Sequence, residues 1–195
     1  MTKIIADISM SLDGYVTGPD PSEEHGLGLG GEPLHTWAID SDDPIDVDVL
    51  SASTEESGAV VMGRRLFDFI DGPTGWDDTM GYGAAHAATP PFFVVTHAQP
   101  ETLRLGLSFT FVTEGLPAAL AKASAAAGGK DVFVMGGGDI VGQCVDAGLV
   151  DELRIHLSPI ILGSGTPLLT GRTRHLMTQR SVRVSATATH LVYTF

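Results

Sequence analysis

The sequence predicts an α/β fold with a mostly parallel central sheet, flanking helices and antiparallel strands near the C-terminus. Two observations carry this prediction. Short apolar runs at 59–62, 92–95 and 132–135 alternate with helical patterns, as in a parallel sheet that is covered on both faces. In the last third of the chain, apolar and polar residues alternate instead, which is typical of antiparallel strands.

The individual elements follow from these patterns. The first strand, 4–10, places Ile4, Ala6, Ile8 and Met10 on one face. Further strands are predicted at 59–62, 92–95, 132–135, 152–158, 181–185 and 190–195. Helices are predicted at 46–57, 64–70, 116–127 and 140–147, with Pro117 in a first turn and an apolar stripe on the last helix.

Two long segments, 17–44 and 71–91, are rich in Gly, Pro and Asp. We interpret them as loops rather than linkers, because strand and helix patterns resume at once on either side. Long loops in a compact domain often form lids or walls of substrate sites. One domain is therefore expected over residues 1–195.

The composition excludes several classes of protein. The chain of 195 residues has 11 basic and 24 acidic residues and a net charge of −13, which argues against binding nucleic acid or anionic membranes. No apolar stretch approaches about 18 residues, and Asp7 interrupts the N-terminal apolar run, so neither a membrane span nor a signal peptide is expected. Cys144 is the single cysteine, and the histidines show no metal-ligand spacing. We therefore expect a cytoplasmic protein without a metal.

The first candidate binding motif is a strand-to-helix turn. An apolar strand ends at Gly63, and Arg64 and Arg65 open a helix. A helix start offers N–H groups and a positive dipole end, which attract phosphate. Gly63 permits close approach to the backbone, and either arginine can add a bidentate contact. The alternative is a helix start whose surface arginines pair with nearby aspartates.

The second motif is a glycine turn, Gly136–Gly138, between a strand and an amphipathic helix. Asp139 and Ile140 follow it at the helix start. Backbone amides in such a turn can hold a pyrophosphate. The turn differs from the Rossmann fingerprint, because Val141 stands where the third glycine belongs. The alternative is a flexible turn with Asp139 capping the helix.

The third motif is the pair Thr96 and His97, directly after the strand 92–95. Their side chains can hydrogen-bond a ribose phosphate. In parallel sheets, ligands bind at the carboxyl ends of the strands. We therefore expect the three turns to face one crevice.

The order of these motifs resembles a known family. The segments that carry the resemblance are Ser11-Leu12-Asp13-Gly14-Tyr15-Val16, Met62-Gly63-Arg64-Arg65, Val95-Thr96-His97, Gly136-Gly137-Gly138, Asp151-Glu152-Leu153 and 158–168. Together they resemble the dihydrofolate reductase superfamily. The closer resemblance is to the reductase domain of the bifunctional riboflavin-biosynthesis deaminase–reductase and its stand-alone relatives, and it covers nearly the whole chain.

The resemblance implies a dihydrofolate reductase-like fold, NADPH as cofactor, and hydride transfer to a C=N or C=O carbon. It implies that the adenosine 2′-phosphate lies near Thr96 and His97, with Arg64 or Arg65 close by. The pyrophosphate would lie between Gly63 and the Gly136–Gly138 turn. The nicotinamide would lie near the loop 11–14 and Ile161. Relatives of this type are commonly dimers, so a homodimer is also implied.

Two departures leave the substrate open. Riboflavin-pathway reductases usually carry Glu just before the glycine pair, where this chain has Met135. Dihydrofolate reductases place an acid on the helix before the Gly-Arg turn, and that helix offers Asp46 and Asp48 here. A reductase of unspecified substrate is favoured over either named activity. The alternatives are an NADPH-binding sensor or interaction module without turnover, and a domain that binds another phosphorylated ligand.

Asp13 is the catalytic candidate, because its loop is expected beside the nicotinamide. It can orient substrate or relay a proton, and the alternative is a turn residue before Gly14. Trp37 and Trp76, in the two long loops, either stack on a planar substrate or pin their loops to the core. The acidic run at 40–48 lacks calcium-loop spacing and is interpreted as a solvated loop leading into a helix.

Overall fold

The structure is a computed structural model that describes residues 2–22, 24–169, 171 and 173–195. The strands are β1 (Ile4–Ser11), β2 (Tyr15–Thr17), β3 (Ser57–Gly63), β4 (Phe92–Val95), β5 (Phe109–Val112), β6 (Asp131–Gly136), β7 (Glu152–Ser158), β8 (Thr166–Pro167), β9 (Thr178–Val184) and β10 (Thr189–Thr194). The α-helices are α1 (Thr36–Ile39), α2 (Pro44–Glu56), α3 (Arg64–Ile70), α4 (Leu116–Ala126) and α5 (Gly138–Asp146). Within the described ranges, no helix has the length and apolarity needed to cross a membrane.

Eight strands form one sheet in the order β5-β4-β3-β6-β1-β7-β10-β9. The strands from β5 to β7 in this order pair in parallel. Strand β10 runs antiparallel to β7, and β9 runs antiparallel to β10. The predicted α/β class, with a mostly parallel sheet and antiparallel C-terminal strands, is therefore confirmed.

One face of the sheet is apolar and lies under α4 and α5. From the sheet it presents Ala6, Ile8, Val134, Leu153 and Ile155, all buried. The helices add Ala119, Leu120, Ala123, Val141, Cys144 and Val145 to the same cluster. We call this surface the apolar face. The alternation predicted for β1 and β7 places Ala6, Ile8, Leu153 and Ile155 there.

The opposite face has two unlike halves. Under α3, Phe67 and Ile70 pack on the buried strand residues Met62, Phe92 and Val94. Under α1 and α2, the strands present polar side chains instead. This second region, which we call the polar half, consists of Asp7, Ser9, Arg154, His156 and His190, together with the helical residues Trp37, Asp46 and Ser53 that contact them.

The prediction that 17–44 is a loop throughout is wrong in its second half. A 3-10 helix, Glu32–His35, and α1 lie within it. Buried Leu34 and Trp37 hold these short helices against the sheet, so tertiary packing overrides the local loop pattern. Strand β5 was not among the predicted elements. Its four residues form an edge strand that pairs only through β4 within the described sheet.

Candidate active site

The turns after the parallel strands meet at one edge of the sheet. In the strand register, Ser11 lies opposite Ser158, Gly63 opposite Val95, and Met62 opposite Gly136. The carboxyl ends of β1, β3, β4, β6 and β7 therefore share this edge, where parallel α/β sheets bind ligands. The turns that were predicted to face one crevice come together there.

The glycines at this edge differ in what requires them. A Cβ on Gly63 would lie 2.8 Å from Ile140 Cγ1, and one on Gly138 would lie 2.5 Å from Val16 Cγ2. These two glycines are required by the packing of one turn against the next element. A Cβ on Gly137, by contrast, would meet no atom of the described chain within 4 Å. Its backbone borders open space, which suits a ligand that approaches the α5 N-terminus.

Arg64 joins the ends of β3 and β4. Its Nη1 donates to Thr96 Oγ1 at 3.3 Å and to the Ala98 carbonyl at 2.8 Å. Its Nε also donates to Asp68 Oδ1 at 2.6 Å, so the predicted pairing with a nearby aspartate is present as well. Arg65 and His97 are exposed beside them. The Arg64 guanidinium and the Thr96 hydroxyl thus meet at the end of β4, where the hydroxyl donates to the Ala98 carbonyl at 2.8 Å. A guanidinium is suited to phosphate.

The start of α5 does not have the predicted cap. Gly137 is the N-cap residue and makes no side-chain cap hydrogen bond, so the capping alternative for Asp139 is wrong. Asp139 instead accepts a 2.8 Å hydrogen bond from Gln143 Nε2 within the helix. Ile140 packs into the apolar core next to Gly63. The Asp139 carboxylate adds negative charge at the helix start, which opposes an anion there.

Asp13 ties two loops together at the same edge. Its carboxylate accepts hydrogen bonds from Ser11 Oγ at 2.7 Å, Leu162 N at 3.1 Å and Gly163 N at 2.7 Å. The bonds from the Ser11 hydroxyl and the two amides lower the pKa of Asp13. An ionised acceptor that is engaged in this way holds the loop 11–14 against the segment of exposed Ile161.

A small cavity of about 50 Å³ opens on the polar half. Its lining comes from β1, both long loops, α2 and the end of β6, namely Asp7, Trp37, Leu50, Ser53, Thr54, Tyr82, Gly83 and Met135. Met135 directly precedes the Gly136–Gly138 turn, so the cavity adjoins the sheet edge formed by the carboxyl ends of the parallel strands. Burial raises the pKa of Tyr82, which keeps its hydroxyl protonated.

Asp7 is the carboxylate of this cavity. Its Oδ1 lies 2.9 Å from His156 Nε2, and its Oδ2 accepts from Ser53 Oγ at 3.2 Å. Burial opposes its ionisation, but the charges of His156 and Arg154 and the hydrogen bonds of His156 and Ser53 outweigh burial and lower the pKa of Asp7. The cavity therefore contains an ionised acceptor that is only 17% exposed.

The two tryptophans have different roles. Trp37 stacks on His156 with ring centroids 4.0 Å apart, donates from Nε1 to Ser9 Oγ at 2.9 Å, and lines the cavity. Trp76 packs against Phe92 with centroids 5.7 Å apart, among the apolar residues under α3. Trp76 therefore pins its loop to the core, whereas Trp37 belongs to the candidate site.

Sequence reasoning missed Asp7, His156 and His190 as site residues. A signal was present, because Asp7, Arg154, His156 and His190 occupy the alternate positions of strands whose other face is apolar. In a sheet covered on both sides, such residues must be buried polar groups. Of the helix acids, Asp46 is buried against His190, and Asp48 pairs with Arg183 at the surface. Neither lines the cavity.

The sheet order and the turns at its edge define a dihydrofolate reductase-like fold. The chain matches the dihydrofolate reductase of Enterococcus faecalis, solved with NADP(H), with a TM-score of 0.59 and 13% identity over 98% of this chain and 95% of that one. The sequence matches the RibD C-terminal domain over residues 2–193, and the chain belongs to that family. The resemblance drawn from the motifs is therefore confirmed.

Two further relatives agree with this assignment. A Shewanella sp. PV-4 structure described as a riboflavin biosynthesis protein matches with a TM-score of 0.71 and 23% identity over 99% of this chain and 98% of that one. The uncharacterized protein YyaP of Bacillus subtilis is 22% identical over 172 residues, which are 85% of this chain and 79% of YyaP. The structural neighbours show the fold, and the family supports a reductase-type function.

Proposed function

We propose that this protein is an NADPH-dependent reductase that transfers hydride to a small heterocyclic, carbonyl or imine substrate. The observation that carries the proposal is the shared sheet edge. There Arg64 and Thr96 meet at the ends of β3 and β4, and the glycine turn follows Met135, which lines a cavity with a largely buried carboxylate. A bound NADPH would supply hydride chemistry, while the protein aligns the reactants and excludes water.

The residues at this edge fit such a cofactor in charge and shape. Arg64, Thr96 and His97, with Arg65 beside them, would hold the 2′-phosphate. Gly63 and the Gly136–Gly138 turn, continued by Asp139 and Ile140, would border the pyrophosphate. Asp13 would position the loop 11–14 and the segment of Ile161 around the nicotinamide.

The substrate would occupy the cavity of Asp7. At about 50 Å³ the cavity is far smaller than usual ligand pockets of roughly 300–1,000 Å³. Binding therefore requires side chains such as Met135 and Tyr82 to move. The small cavity, together with Met135 where riboflavin-pathway relatives carry Glu, favours the second candidate function, an NADPH-binding sensor or interaction module without turnover. NADPH oxidation with pteridine, flavin and quinone acceptors separates the two.

Titration of NADPH and of NADH, followed by quenching of Trp37 and Trp76 fluorescence, tests the cofactor. We expect NADH to bind at least about tenfold more weakly, or about 1.4 kcal/mol. Arg64→Ala should weaken NADPH about tenfold and leave NADH unchanged, whereas Arg183→Ala, at an exposed ion pair on β9, should change neither. Equal binding would remove the 2′-phosphate assignment. Absence of binding would overturn the reductase and favour another phosphorylated ligand.

We also infer a cytoplasmic homodimer. Cys144 is buried and carries a free thiol, which suits a reducing compartment. Val182 and Val184 are exposed on the edge strand β9, which supports pairing with a second copy. Light scattering coupled to size exclusion should give twice the chain mass, and Val184→Lys should shift the protein toward the monomer. A monomeric wild type would contradict this inference.

A further inference from the structure

Four ionisable side chains form one buried hydrogen-bonded chain across the polar half. From Asp7, the chain passes to His156, whose Nδ1 lies 2.7 Å from Nδ1 of His190. His190 Nε2 lies 2.7 Å from Asp46 Oδ1. The two imidazoles are 2% and 3% exposed, and Asp46 is fully buried. The four groups come from β1, β7, β10 and α2, so the fold assembles the chain.

The three contact distances indicate how many protons these four side chains share. Each Nε2 lies beside a carboxylate, which accepts only if the nitrogen carries a proton. The contact between the two Nδ1 atoms needs one more proton, because two lone pairs would repel at 2.7 Å. Three shared protons on two imidazoles make one neutral ring and one imidazolium. Together with the two carboxylates, the four side chains therefore have a net charge of −1.

The surroundings limit the pair to this single extra proton. Burial and the neighbouring charge of His156 lower the pKa of His190, although the hydrogen bond and charge of Asp46 act in the opposite direction. The positive charge of Arg183 on β9 also lowers the pKa of His190. Burial and His156 also lower the pKa of His35, beside the pair, to about 4. Arg154 faces Asp7 from β7 and pairs with Glu152 and Glu56.

Asp7 and Asp46, the two ends of the hydrogen-bonded series, face different surroundings. Asp7 lines the cavity proposed to receive substrate. Asp46 Oδ2 accepts from the hydroxyls of Ser41 and Thr187, which are both partly exposed. An unbroken series of hydrogen bonds therefore joins the cavity to the solvent side of α2 and the β9–β10 turn.

We propose that this hydrogen-bonded chain delivers the proton that completes reduction in the cavity. Asp7 is the catalytic residue that hands the proton over, His156 supplies it, and His190 and Asp46 are positioning residues that hold the remaining protons. The inference rests on the proposed function. A hydride that adds to a C=N or C=O carbon moves the π pair onto nitrogen or oxygen. Asp7 is ionised at rest, so it takes the Nε2 proton of His156 and passes it to that atom. The shared proton settles on His156 Nδ1, which leaves both imidazoles neutral. After product release, water in the cavity returns one proton to His156 Nε2 through Asp7, and the oxidation of NADPH to NADP⁺ would account for the hydride and its two electrons.

The first test counts protons directly. In the full chain, with histidine isotopically labelled at the ring nitrogens, NMR at neutral pH should show three N–H protons on His156 and His190, one of them strongly downfield. His156→Gln should remove the downfield signal, whereas His86→Gln, in an exposed loop, should leave it. One proton on each ring in the wild type would overturn the relay, whatever the protein does with NADPH.

The second test follows NADPH oxidation with the acceptor that the panel identifies. Asp7→Ala should lower kcat at least about 100-fold with NADPH affinity unchanged, and formate should restore part of the rate. Asp46→Asn should lower kcat about tenfold and make it fall as pH rises, because the imidazolium loses its partner. Asp48→Asn, the same change on an exposed carboxylate of α2, should match wild type.

These outcomes separate the two proposals. A wild-type pH profile in Asp46→Asn, or an Asp7→Ala variant with full kcat or without formate rescue, would overturn proton delivery and leave the reductase standing. No oxidation of NADPH by any acceptor would overturn the reductase and the delivery step together. Circular dichroism of each variant checks that it folds, and the proton count on the wild type needs no variant.

Discussion

The apolar face and the polar half lie on opposite sides of the same strands. One buries apolar side chains, and the other buries polar and charged ones. Strand β1 presents Ala6 and Ile8 to one side and Asp7 and Ser9 to the other. The apolar face gains stability from buried area, which requires no particular partner. The polar half removes charged groups from water, which is unfavourable unless each finds a charge or hydrogen-bond partner.

The two regions differ in whether stability alone explains them. A buried ionic network is often replaced by well-packed apolar residues with no loss of stability, so stability alone does not explain one. The polar half borders a cavity that Met135, at the end of β6, also lines, whereas the apolar face has α4 and α5 packed on it. We therefore attribute the polar groups of the polar half to the proposed binding of a ligand.

The largest effect is expected from breaking the polar half at Asp46. Asp46→Ala leaves the donors of His190, Ser41 and Thr187 without their acceptor. We expect a loss of about 4 kcal/mol in unfolding free energy, because unpaired buried charge remains. Urea denaturation measures it. Asp48→Ala should stay within about 0.5 kcal/mol of wild type, and an equally small loss in Asp46→Ala would contradict this account.

Breaking the apolar face should have a slightly smaller effect of another kind. Leu153 is fully buried on β7, and Leu153→Ala removes packing and leaves a cavity. We expect a loss of about 3 kcal/mol that is the same at pH 5 and pH 8, because no charge is involved. Urea denaturation at both pH values checks this. A loss that changed with pH would show that the two regions are coupled.

Acid should weaken the polar half through His35. Its pKa is about 4 in the folded protein and about 6.5 when unfolded, so the unfolded chain binds a proton first. Stability therefore falls as the pH drops through about 6.5, and this loss is complete below about pH 4. His35→Gln should lose about 2 kcal/mol less than wild type over that interval in paired denaturation curves. If the unfolding free energies of wild type and His35→Gln fell equally over this interval, the acid sensitivity would belong to other groups.

The smallest change expected is at Ser53, which bonds Asp7 and also accepts from Arg154 Nη1 at 3.3 Å. Ser53→Ala removes one donor to Asp7 and should lower the unfolding free energy by about 1 kcal/mol. Ser51→Ala, two residues earlier on α2, serves as the matched control. A larger loss at Ser51 would show that helix propensity, rather than the hydrogen bond, determines the result.

Local pattern was enough to predict much of this protein. The runs at 59–62, 92–95 and 132–135 are apolar throughout, as expected of strands that are covered on both faces. Each is part of a parallel strand in the structure. The turns at Gly63 and Gly136–Gly138 follow from those strands, because each lies where a strand must end and a helix begin. Side-chain period, strand ends and glycine positions are properties of short segments, so they predict the fold class and the sheet edge at which the glycine turns lie.

The polar half depends on contacts between residues that are far apart in the sequence. Asp7 and His156 are separated by 149 residues, and His190 and Asp46 by 144, so no local pattern shows that they meet. The same holds for 17–44, where Trp37 orders a short helix only because His156 and Ser9 lie beneath it. A carboxylate on a strand is solvated or buried according to what packs over it. Here α1 and α2 cover it, and that packing determines both its charge and its partners.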